Sequence, residues 1–154
     1  MPLSQTVLSN AIKSALDQRP DTLAEGVQNF ADAYTNWAQG GLFGASTIGT
    51  VAALNSAIVS QLLSAPSTLS GFGTAVSQGL TIGWVGVPVA GAQAGATVAC
   101  PGAAALASSI PAALAIYPDT SQDSADILAG LLYTATLTVT AAVSPPPGTI
   151  LPIV

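Results

Sequence analysis

The stretch that decides the fold is LSNAIKSALDQRPDT, Leu8 to Thr22, because its skeleton occurs three times. Leu8, Ile12, Leu16, Pro20 and Thr22 are spaced 4, 4, 4 and 2 apart. The same residues at the same spacings return as Leu54, Ile58, Leu62, Pro66, Thr68 and as Leu106, Ile110, Leu114, Pro118, Thr120. The copies are offset by 46 and 52 residues. Apolar residues at i, i+4 and i+8 form one stripe along a helix. The residue before a proline is pushed out of the α region, so each stripe ends there. Two residues on, a threonine is placed to cap a second helix.

Working outward, each copy reads as an αα-hairpin joined by a short loop. Helix A spans about Gln5 to Gln18, Val51 to Ser64 and Ala103 to Tyr117. Helix B spans about Leu23 to Trp37, Leu69 to Leu80 and Ser121 to Thr134. Thr22 and Glu25 have capping-box spacing. Gly71, Gly73 and Gly79 weaken helix B of the second unit. Pro111 should kink the third helix A or restart it after Ile110. Gly40 to Thr50 reads as loop, and Thr81 to Val89 as an irregular strand held at an edge by Pro88. Ala96 to Cys100 and Leu137 to Val143 read as short strands, the latter from its alternation. The expected fold is mainly α: three αα-hairpin units (about 5–50, 51–100 and 103–143) with short irregular β segments in one domain over 1–143. Residues 144–154, SPPPGTILPIV, read as a proline-rich extended arm strapped onto a neighbouring subunit.

The 154 residues are half hydrophobic, but only 6% are charged, against about 25% in ordinary domains. Every charge lies between Lys13 and Asp32 or between Asp119 and Asp126. Residues 33–118 and 127–154 carry none. Lys13 and Arg19 are the only cations and the net charge is −5. Direct nucleic-acid binding through a basic patch is therefore not expected. A surface so poor in charge fits a chain whose partners cover it. The N-terminus does not read as a signal peptide. The longest apolar run, Leu80 to Cys100, is interrupted by glycines and a proline, so a membrane span is not expected either.

Chemistry-bearing patterns are scarce. The chain has no histidine, which removes the commonest general base and metal ligand. The carboxylates Asp17, Asp21, Glu25, Asp32, Asp119, Asp123 and Asp126 cluster near the hairpin turns, where anionic groups favour helix N-termini. Asp119, Asp123 and Asp126 lack the glycine turn and distal glutamate of a calcium loop. GVPVAGAQAG, residues 86–95, contains no phosphate-binding pattern. Cys100 stands alone and reads as a small buried residue. No catalytic, cofactor or metal residues are assigned, and no enzymatic activity is expected. Tyr34 and Trp37 read as core. Phe43, Trp84, Val87, Val89, Ile150, Leu151 and Ile153 lie in loop-like or arm segments and are the candidate interface residues.

Three pieces of the chain resemble small Ala/Gly-rich virion structural proteins of tailed bacteriophages. They are Leu8 to Leu16, then Phe30-Ala31-Asp32-Ala33-Tyr34 with Trp37-Ala38, then Trp84-Val85-Gly86-Val87-Pro88-Val89. The family carries a proline doublet where this chain has Pro88 alone. The resemblance implies a structural subunit located in the virion and assembled in the host cytoplasm. It would form a symmetric homo-oligomer and contact other virion proteins. Tail, neck, baseplate and capsid-decoration positions are all open, and no functional residue is carried over. The alternative expectation is a membrane-active or pore-forming protein that inserts its uncharged centre.

Overall fold

The computed structural model of the chain describes residues 3–43, 46–91, 95–116, 118–142 and 150–154. Each copy of the ladder makes one helical hairpin. The pairs are α1 (Gln5–Asp17) with α2 (Leu23–Ala38), α3 (Ala52–Ser64) with α4 (Leu69–Val85), and α5 (Ala103–Leu114) with α6 (Ser121–Thr136). The first two rungs of every ladder are at most 2% exposed. The third rung differs: Leu62 is buried, Leu114 half-buried and Leu16 exposed. The three threonines cap their helices alike, each at φ −131°. Their hydroxyls accept the N–H of Glu25 at 3.1 Å, Gly71 at 2.9 Å and Asp123 at 3.1 Å.

Among the described residues, six helices form a closed ring: each packs against its neighbours in sequence, and α6 returns against α1. Side chains from every unit fill the centre. Tyr34, Trp84 and Thr136 come from α2, α4 and α6 and are all fully buried. Ala38, Trp84 and Thr136 occupy one repeat position, again 46 and 52 residues apart.

The ring is tightest around α4, and its glycines explain why. A Cβ on Gly79 would lie 2.8 Å from the Ile58 backbone, and one on Gly83 would lie 2.8 Å from the Leu54 Cα, both in α3. On the other side, a Cβ on Gly73 would meet Pro111 Cδ at 2.7 Å and the Ala107 carbonyl at 3.1 Å in α5. Glycines that lower helix propensity here permit backbone contact on two sides. Tertiary packing overrides propensity, and α4 continues to Val85, replacing the strand expected from Thr81. The contact with Gly73 also bears on Pro111. The proline cannot donate to the carbonyl four residues earlier, and that Ala107 carbonyl faces the space Gly73 leaves. Helix α5 runs through Pro111 without restarting.

Short strands precede A helices and follow B helices, so they share one end of the ring. They are β1 (Leu42–Phe43), β2 (Ser46–Ile48), β3 (Val89–Ala90), β4 (Thr97–Ala99), β5 (Thr140–Ala142) and β6 (Ile150–Pro152). Among the described residues the strands form two antiparallel sheets, ordered β1-β2-β3 and β4-β5-β6. Residues 42–43 and 46–48, expected to be loop, are therefore paired backbone. In the second and third units the strand before helix A pairs with the strand after helix B, as Ile48↔Val89 and Val98↔Ala141.

In the first unit, β1 receives its corresponding partner from the far end of the chain. Leu42 and Val154 exchange backbone hydrogen bonds of 3.0 and 2.9 Å, and Phe43 bridges Ile153. Residues 150–154 pair with β5 and β1 of their own chain. Residues 144–149 of the expected arm lie outside the described residues.

Candidate interaction surfaces

Most of the residues expected to form an interface belong to the core. Phe43 and Trp84 are fully buried, Val87 is 2% exposed, Val89 4% and Ile153 1%. Phe43, Val89 and Ala141 fill one repeat position, immediately after each hairpin, and all three point inward. Trp84 is helical, and its indole N–H donates to the Tyr34 hydroxyl at 3.2 Å. Ile153 sits over Gly41, where a Cβ would lie 2.6 Å from its Cδ1. These five residues hold the fold and are not surface anchors. Of the set, Ile150 is exposed at 65%; the side chain of Leu151 lies outside the described residues.

Apart from Ile150, the exposed apolar residues are others, and they gather at the two ends of the ring. Val7, Ile82, Val85, Leu137, Ile150 and Val154 lie toward the strand end. Leu16, Leu23, Leu63, Leu69 and Ile116 lie toward the hairpin loops. One sequence signal could have located part of this set. Gly79, Gly83 and Gly86 share a face at helical spacing, so Val85 lies away from it.

At the loop end, an open apolar groove of about 740 Å³ separates the first two units. Its walls include Leu16, Pro20 and Phe30 on one side and Leu62, Pro66 and Phe72 on the other, with Leu128 from α6. The rings of Phe30 and Phe72 meet edge to face at 5.7 Å.

The polar groups serve the junctions between units. Ser9, Asn55 and Ala107 hold one repeat position, each facing the preceding unit. Ser9 hydrogen-bonds Asp126, and Gln122 donates to Asp126 at 2.9 Å and to Ser9 at 3.1 Å. Asn55 donates to Asp32 at 2.8 Å, and Gln28 donates to the same carboxylate oxygen at 2.7 Å. At Ala107 the junction is the dry glycine contact instead. Asp17 pairs with Lys13 and accepts from Ser121 at 2.7 Å. The hydrogen bond from Lys13 holds its carboxyl below the ordinary range. Cys100 is buried, and loss of hydration pushes its thiol up to about 11. Among the described residues, no group of three or more His, Cys, Asp or Glu could hold a metal ion. No described helix is long and apolar enough to cross a membrane.

Comparison with protein-family models, curated proteins and solved structures gives no match.

Proposed function

We propose that this chain is a non-enzymatic structural subunit of a tailed-phage virion that works through assembly contacts with copies of itself and with other virion proteins. The observation that carries the reading is apolar exposure on a surface almost without charge. Val7, Ile82, Val85, Leu137 and Ile150 are each at least 43% exposed, and all lie toward the strand end of the ring. No charged residue falls within 33–118 or 127–154 to keep that end solvated. Burying such residues between symmetry mates removes apolar area from water at little electrostatic cost. The closed ring with its central hydrogen bonds supplies a rigid body for those contacts. The carboxylates of Asp17, Glu25, Asp32, Asp123 and Asp126 are engaged at junctions and caps, and the chain has no histidine to serve as a base.

Light scattering on the eluting protein tests the assembly part. The expected species is a defined oligomer of the 15.1 kDa chain, returned to monomer by Ile82→Glu with Val85→Glu. A monomer at all concentrations would overturn it. Mass spectrometry of purified particles tests the virion part: the chain is expected at a stoichiometric copy number, and its absence would overturn that assignment.

A further inference from the structure

The groove between the first two hairpins differs from the strand end in one respect: it is apolar and has acid at its rim. Asp21 lines it. Glu25 follows one turn into α2 and accepts the Asp21 N–H at 3.2 Å. Asp119 and Asp123 flank the cap of α6 at the same end, in the third unit and outside the groove's lining. Of the two cations in the chain, Lys13 is already paired with Asp17, leaving Arg19 against these carboxylates. Leu16 and Leu23 stand at the groove, 42% and 69% exposed.

We propose that this groove receives a segment of a different protein, an amphipathic helix that inserts apolar side chains and sets Lys or Arg against the acidic rim. A groove of this size and lining accepts apolar anchors spaced one helical turn apart. The charge argument selects the partner. A second copy of this chain brings the same carboxylate excess, so it cannot neutralise the rim. An anionic membrane surface is repelled for the same reason. A basic segment gains both apolar burial and charge complementarity. The site lies at the opposite end of the ring from the surface assigned to self-association, so one molecule can make both contacts.

The test uses the full chain and a fluorescent helical peptide with Leu on one face and Lys on the other. Two control peptides are the Glu-for-Lys counterpart and a scramble of the same composition. The Leu/Lys peptide is expected to bind saturably, with an affinity that falls as salt rises. Leu16→Ser with Leu23→Ser, both exposed positions, is expected to weaken it about tenfold or more, and Asp21→Lys to weaken it further at low salt. Circular dichroism checks that the variants stay folded. Amide shifts in labelled protein are expected around Phe30 and Phe72. Equal binding of the Glu peptide or the scramble would overturn the proposal, as would affinity indifferent to the leucine substitutions. So would shifts confined to the strand end, or binding to anionic vesicles in place of the peptide. Light scattering on the same samples reads self-association separately, so failure of the groove and failure of the assembly reading are distinguishable.

Discussion

The hydroxyls of Tyr34 and Thr136 lie 2.7 Å apart at the centre of the helix ring, 102 residues apart in the chain. Thr136 donates its proton to the Leu132 carbonyl at 2.7 Å, so the Tyr34 hydroxyl is the donor between them and accepts from Trp84 in turn. The three hairpins are thus joined by one line of hydrogen bonds, Trp84 to Tyr34 to Thr136. Tyr34→Phe should leave the buried indole N–H of Trp84 without its acceptor, at a cost of about 1–3 kcal/mol. For a chain of this length each kcal/mol corresponds to roughly 2–4 °C in Tm. Urea denaturation should show Trp84→Phe costing less in the Tyr34→Phe background than in the parent, because the hydrogen bond it removes is already gone. Strict additivity would mean that the line does not act as a unit.

The glycines of the helical hairpins make opposite predictions at different positions. Gly83→Ala places a Cβ 2.8 Å from the Leu54 Cα. Backbone cannot move aside cheaply, so the variant should lose roughly 1–3 kcal/mol despite its better helix propensity. Gly130→Ala in α6 meets only the end of the Gln5 side chain, at 3.3 Å. That side chain can shift, and the variant should gain roughly 0.5–1 kcal/mol. Paired thermal melts decide this, and a stabilised Gly83→Ala would mean that α3 and α4 pack less closely than described.

These glycines also mark where the sequence stopped being readable. The Leu-Ile-Leu-Pro-Thr ladder was legible because stripe, stop and cap are local effects, and each expected helix is present, although α4 runs on to Val85. Gly73 and Gly79 looked like weak helix because propensity is local, whereas their reasons lie on α5 and α3. The same distinction explains Phe43 and Ile153. Each sits in a short segment with little pattern of its own, and each is buried by pairing with the other across most of the chain. The groove was not legible, since it depends on how the first two hairpins splay. The acid that rims it was visible only as a cluster near turns.

The C-terminal strand gives a third prediction. Ile153 is 1% exposed and Ile150 65% exposed, three residues apart. Ile153→Ala should cost roughly 2–5 kcal/mol through lost burial and a cavity over Gly41. Ile150→Ser should stay within about 0.5 kcal/mol of the parent. Deleting residues 150–154 should lower Tm and weaken hydrogen-exchange protection of Leu42, whose N–H donates to Val154. An arm that served only a neighbouring subunit would leave Tm and exchange unchanged and alter oligomeric state alone.

The last prediction concerns pH. With no histidine in the chain, no side chain of ordinary pKa titrates between about pH 6 and 8, so stability should be flat there. Above that range two buried acids matter. Burial raises the Cys100 thiol from 9.0 to about 11. It also carries the Tyr34 phenol well above its ordinary 10.0. In both cases the folded state keeps a proton that the unfolded chain releases. The folded state therefore binds more protons in this window, and stability falls as pH rises. The thiol's contribution is complete below pH 9.0 and is lost as pH rises toward about 11, with a limiting slope of about 1.4 kcal/mol per pH unit. The phenol adds its own loss from pH 10.0 upward. Urea midpoints across this range should show the decline, and Cys100→Ala should remove its first part while leaving the second. A decline that begins at the same pH in Cys100→Ala would assign the alkaline sensitivity to a group other than the thiol.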